Sequence, residues 1–215
     1  MSAADYYGTA NTILRATPAW VAYTSAATRT SASGAALTPD NTANDDIVLG
    51  FDWRTAGTVP DLAAGVTEIF AGGLTAGSGA SGRIWWKAIS AGETIPAAAN
   101  ATRRVLMPIR NADLTSPIIA FASSITTGTT GTIPALSTFS GGAQGLVVSS
   151  YVHDNATAVQ TLSAPLVQRS VQSPTNSPGV AADSDGLVTA LAAQNFTITA
   201  DAFIGVSIAL RGKVV

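Results

Sequence analysis

The only histidine of the chain, His153, stands in "SSYVHDNATA" with Asp154 beside it and Ser149 and Ser150 just upstream. A nucleophilic hydrolase needs a serine, a histidine and a carboxylate that converge in space. The residue types are here, but no Gly-x-Ser-x-Gly elbow opens a helix. A strand ending in a turn explains the same letters, because Asp154-Asn155 is turn chemistry. Glycoside hydrolysis would need two carboxyls facing each other across a cleft, one with a raised pKa. Asp52, Glu68, Glu93 and Asp113 stand near strand ends, yet Glu93 in "AGET" reads equally as a turn carboxylate bonding backbone N–H groups. Metal ligation would fall to "DNTANDD" (Asp40 to Asp46) or "DSDG" (Asp183 to Gly186). Neither has the EF-hand spacing or its closing Glu, and Asp, Asn, Ser and Gly are the residues that solvated turns select. The "GGLTAGSGASG" loop lacks the Lys-Ser/Thr and the following helix of a phosphate cradle. The expectation is therefore no catalytic residue, no cofactor and no metal.

The remaining chemistry is that of contact. "GRIWWKAIS" sets Trp85 beside Trp86 in a chain with four tryptophans. Neighbouring side chains of a strand point to opposite faces, so one indole enters the core and the other meets a second layer, another subunit or a sugar ring. Trp is enriched at the energetic centres of interfaces, and Trp86 is expected to face another protein chain.

Composition limits the partners. Charged residues make up 11% of the 215 residues, with two Glu and two Lys in all, under half the share of roughly a quarter in ordinary soluble domains. Ala, Thr, Ser and Gly fill those places, so large areas can meet another protein with little charge to desolvate. A net charge of −2 and a pI near 5.2 leave no electrostatic footprint for nucleic acid. The start "MSAADYYGTANTILRATPAW" has no signal pattern, and no apolar run approaches a membrane span. Cysteine is absent, which removes disulfides and thiolate metal sites.

Apolar segments of strand length alternate with Gly, Pro, Ser, Thr and Asn clusters, the pattern of an all-β sandwich or barrel. "DDIVLGFDW", "GLVVSSYVH" and "AFIGVSIALR" are the clearest strands, with Arg103–Arg110 and Gly82–Ile89 beside them. Ala71 to Gly82 and Ser173 to Gly186 read as long loops, the kind that often carry contacts. "SSITTGTTGTIPALSTFSGG" reads as a flexible arm or an extended edge ordered by a neighbour. Before Asp45, the apolar Tyr6, Tyr7, Ile13, Leu14 and Trp20 precede a polar stretch. The division expected is an N-terminal arm, anchor and linker over residues 1–44 and a β-sandwich domain over 45–215.

"DDIVLGFDWRTAGTVPDLAAGVTEIFAGGLTAGSGASGRIWWKAISAGE" resembles a module of tailed-bacteriophage virion proteins. That module has a Gly-Asp-apolar-apolar first strand, a P-x-x-x-GW-T second strand, and a strand ending in a basic or aromatic residue before A-x-x-GE; a final strand like "ADAFIGVSIALR" closes it. Here Asp45-Asp46 stands for Gly-Asp, and Val66 follows Gly65 where Trp is usual. The resemblance implies an antiparallel, jelly-roll-like β-sandwich serving as a structural part of a phage particle. The particle site expected is the tail tip, baseplate or tail fibre, helping attachment to a host surface glycan or protein. A capsid decoration or head-fibre protein is the alternative, and a carbohydrate-binding module or glycan-degrading enzyme the third. The protein is then made in the bacterial cytoplasm and carried in the virion, without inserting in a membrane. It is expected to associate as a homo-oligomer, with a trimer favoured, and with other virion proteins. Trp86, Tyr6, Tyr7 and Trp20 are the expected contact residues.

Overall fold

Residues 22–23, 29–139, 143–154, 160–172, 179–198 and 201–213 are described in this computed structural model, and no helix occurs among them. Fourteen strands follow one another along these residues: β1 (Ala22–Tyr23), β2 (Arg29–Ser31), β3 (Asp46–Arg54), β4 (Thr67–Glu68), β5 (Leu74–Ala76), β6 (Ala80–Ile89), β7 (Arg103–Arg110), β8 (Ile118–Thr126), β9 (Thr130–Ile133), β10 (Gly145–His153), β11 (Val167–Gln172), β12 (Gly179–Val188), β13 (Gln194–Thr197) and β14 (Phe203–Leu210). All pairings are antiparallel. A seven-stranded sheet runs β1-β7-β3-β6-β4, with β2 also on β7 and β5 also on β6. A five-stranded sheet runs β11-β12-β10-β14-β8, and β13-β9 forms a separate ribbon. The protein is an all-β antiparallel sandwich.

The strands explain their own composition. A strand with one wet face alternates apolar and polar residues, whereas one covered on both faces reads as a continuous apolar run. Every residue of β10 and β14 is buried, as is all of β3 except Arg54. Between the sheets lie Ile47, Leu49, Phe51, Trp53, Ile84, Val105 and Met107, against Leu146, Val148, Val152, Ile204, Val206 and Ile208. The far face of the five-stranded sheet packs Val147, Tyr151, Phe203 and Ala209 against Ile133, Leu136 and Phe139 of the β9 strand and the segment after it. On the far face of the seven-stranded sheet Val48, Trp85, Ile89 and Leu106 lie under Ile95 and Leu37. Trp53 Nε1 joins the two sheets by donating to Ser150 Oγ at 3.2 Å, and Ser150 Oγ in turn donates to the Val180 carbonyl at 2.6 Å.

Three sequence expectations change. Residues 29–44, expected as linker, are part of the sandwich. β2 pairs with β7, Gly34 N donates to Ala101 O at 2.9 Å, and Leu37 and Ile95 exchange both backbone bonds. Small and polar residues read as linker because a cover strip needs only a few apolar contacts on its inner side. The long loop expected over Ala71 to Gly82 is a hairpin of β5 and β6, in register from Leu74 opposite Gly82 to Ala76 opposite Ala80. The second loop, Ser173 to Gly186, contributes most of β12, which lies between β10 and β11.

Candidate functional site

The polar residues buried in the sandwich act first as fasteners. Asp52 on β3 and Arg104 on β7 face each other in register, both fully buried. Arg104 Nε donates to Asp52 Oδ1 at 2.6 Å and Nη2 to Oδ2 at 3.0 Å. Trp85 Nε1 donates to the same Oδ2 at 2.7 Å, and the guanidinium carbon lies 5.9 Å from the indole centre. Arg104 Nη1 reaches outward to the carbonyls of Ala35 at 3.0 Å and Pro96 at 2.7 Å. A buried ion pair is tolerable only when its remaining donors and acceptors find partners, and the cover strip supplies them.

The carboxylates considered for glycoside chemistry are likewise engaged. Glu68 takes hydrogen bonds from Arg83 and from Gly72 N at 3.1 Å. Glu93 accepts from Lys87 Nζ at 2.5 Å and Ser90 N at 2.9 Å; the Lys87 hydrogen bond above all holds its carboxyl below the ordinary glutamate value. The backbone N–H groups of Ser116 and Thr115 do the same for Asp113. A catalytic acid needs the opposite shift. In the "DNTANDD" stretch, Asp46 accepts from Ala43 N at 2.8 Å and pairs with Arg110 at 3.2 Å. "DSDG" is no solvated turn: Asp183 is buried in β12, where Arg169 grips it at 2.7 Å and 2.9 Å. Among the described residues no group of three or more His, Cys, Asp or Glu is placed to hold a metal ion.

His153 ends β10 as a buried side chain, its Nδ1 3.6 Å from Asp201 Oδ2. Asp154 follows it with its pKa raised, by desolvation first and by the Asp201 charge second. Three titratable groups thus meet at one end of the sandwich. The nearby serines do not complete a triad. Ser149 bonds Ser207 at 3.1 Å and stands four residues from His153, about 13 Å along a strand. Ser150 is on the other face, bonded to Trp53 and Val180.

The surface carries the other candidates. Trp85 is the fully buried member of the tryptophan pair, under the cover strip. Trp86 points the other way and is half-buried at the margin of the inter-sheet core, opposite Leu49 on one side and Thr67 on the other. Val66, where the resembled module has Trp, packs with the Trp85 cluster. Tyr6, Tyr7 and Trp20 lie outside the described residues. A groove of about 370 Å³ lies between Thr161, Ser163, Pro165 and Gln194, Asn195, Phe196. The Gln194 amide is turned onto the Ser163 backbone, accepting at 2.8 Å and donating at 2.7 Å, so it braces the groove wall.

Sequence reasoning did not single out Phe121 and Ile125, which are 51% and 45% exposed on β8. The available signal was the absence of any charged residue between Asp113 and His153. The chain offers a neutral surface with an apolar edge, and its meaning has to come from its own geometry: no family profile, curated protein or solved structure matches it.

Proposed function

We propose that the protein is a non-enzymatic structural component of a tailed-bacteriophage particle, placed at the tail tip, baseplate or tail fibre, where it contributes to attachment to the host surface. The observation that carries this reading is that the main stretch of the resemblance, from Asp45 to Glu93, forms one set of paired strands. β3 and β6 pair over their full shared length, from Asp46 opposite Ile89 to Arg54 opposite Ser81. Asp45 has φ 68° and Gly65 φ 72°, a left-handed region that glycine enters without strain and Asp tolerates. The Gly of the usual Gly-Asp therefore suits position 45. Glu93 of "AGE" closes its turn on Ser90 N.

The non-enzymatic part is supported by the engagement of Asp52, Glu68, Glu93 and Asp113 in fastening strands and turns. Assembly by geometry suits a neutral surface, which loses little hydration of charge when it is covered. The test is gold-labelled antibody against the protein, applied to purified particles and read by electron microscopy. Label at the tail tip is the expected result. Label over the head would replace the tail reading with that of a decoration protein, and unlabelled particles would remove the protein from the virion.

A further inference from the structure

We propose that β8 is a self-association edge, pairing antiparallel with β8 of a second copy so that the two five-stranded sheets join into one. This does not rest on the virion reading. Among the described residues β8 is bonded only to β14, so along its nine residues one row of N–H and C=O groups faces outward. Proteins blunt such edges with short strands, charges, prolines or covers, because an open edge is a template for another strand.

The other edges of the two larger sheets are blunted in those ways, and the strands of the ribbon, β9 and β13, have only four residues each. β4 and β5 have two and three residues, and beside β4 Glu68 pairs with Arg83. β7 is covered by β1 and β2. β11 carries Arg169, paired with Asp183 and Asp185. β8, "IIAFASSIT", has neither charge nor proline. It also shows exposed Phe121, Ser123 and Ile125 on one face. Phe121 is not loose there: its ring meets Phe70 edge-on, 5.1 Å between centres, which fixes it before any partner arrives.

The occupant is a second copy because the strand complements itself. With Ser123 on a two-fold axis, Phe121 falls opposite Ile125 of the second copy, and Ile125 opposite its Phe121. Aromatic and β-branched side chains directly opposite are favourable cross-strand pairs. The other face sets Ala122 opposite Ser124, and Ala120 opposite Thr126. The uncharged segment brings no like charges together in this register, and a two-fold contact closes after two copies. Three copies, expected from the resemblance, do not fit such an edge.

Sedimentation of the full chain, beside Ser123→Lys and Ser123→Cys, tests this. Wild type is expected at twice the 21.6 kDa of one chain. Ser123 is exposed, so the lysine is compatible with the fold. Its two copies would meet on the axis and weaken the dimer by roughly tenfold or more, with unchanged circular dichroism. In a chain without cysteine, Ser123→Cys should give a covalent dimer with a short thiol crosslinker. Gln168→Cys on the opposite edge should not. If the lysine variant fails to fold, the cysteine pair still decides. A monomeric wild type, a trimer, a dimer indifferent to the lysine, or no crosslink at position 123 would overturn the proposal. So would a monomer that dimerises only after deletion of residues 1–21, which would make the chain's own N-terminal segment the occupant of the edge.

Discussion

Gly50 of β3 lies opposite Trp85 of β6, and Gly82 of β6 lies opposite Trp53 of β3, so each indole rests on the bare backbone of the neighbouring strand. A Cβ on Gly50 would fall 2.0 Å from the Trp85 ring, and one on Gly82 2.2 Å from the Trp53 ring. Gly50→Ala should therefore cost about 1–3 kcal/mol through overpacking, seen in urea as a lower midpoint at unchanged slope. An unchanged midpoint would mean that Trp85 can move aside. Glu93 supports a prediction of another kind. Its folded-state pKa lies below the ordinary value of 4.5, so its contribution is complete above that value and is lost as the pH falls through the lowered folded one. Glu93→Gln should flatten that part of the acid limb in a melting-temperature profile. A limb identical to wild type would show that the Lys87 contact does not contribute.

Arg104 ties elements that the strand ladder leaves apart, binding β3 through Asp52 and the cover strip through the Ala35 and Pro96 carbonyls. Arg104→Ala leaves Asp52 buried without its counter-charge, a loss of about 3–5 kcal/mol. The double change Asp52→Asn with Arg104→Met should cost less than the single one. In Arg104→Ala the amides of Gly34, Leu37, Ile95 and Ala98, which bond across the cover, should exchange faster, while those of β10 stay protected; uniform acceleration would count against a local tether. The same elements show what could be read beforehand. β7 and β10 have the limits expected, because their apolar runs stop at Arg or Gly or at a turn. β12 was hidden because Asp183, Asp185 and Gly186 are turn letters, and only the spatial partner Arg169 makes a buried aspartate acceptable in a strand. The cover strip was hidden because its residues follow no period. Phe121 and Ile125 were hidden because they lie on the inner face, opposite Ile208 and Ile204, and alternation alone does not tell where the facing sheet ends.

For the whole molecule, the cover over Trp85 sets how much of the N-terminal region the fold requires. β11 and β12 lie over β7 and β1, while β14 and β8 lie over β5 and β6, and the seven-stranded sheet then needs a further layer outside it. That layer comes from residues 32–44, which follow β2, and from 94–98, joined through Leu37 and Ile95. A chain beginning at Ala22 keeps every strand from β1 to β14, whereas one beginning at Ala43 loses β1, β2, the Leu37 bridge and the Ala35 carbonyl that Arg104 binds. Trp85, Ile95 and Leu106 would then gain access to water, and each large side chain returned to solvent costs about 1.5–3 kcal/mol. Removal of residues 1–42 should accordingly lower the melting temperature on the order of 10 °C or more, with a red-shifted tryptophan emission. Removal of 1–21 should leave the melting temperature near that of the full chain, and because both truncated chains lack Trp20 the red shift is read between the two of them. Equal stability of the two truncated chains would return residues 29–42 to the role of a linker and leave the outer face of the sheet stable without its cover.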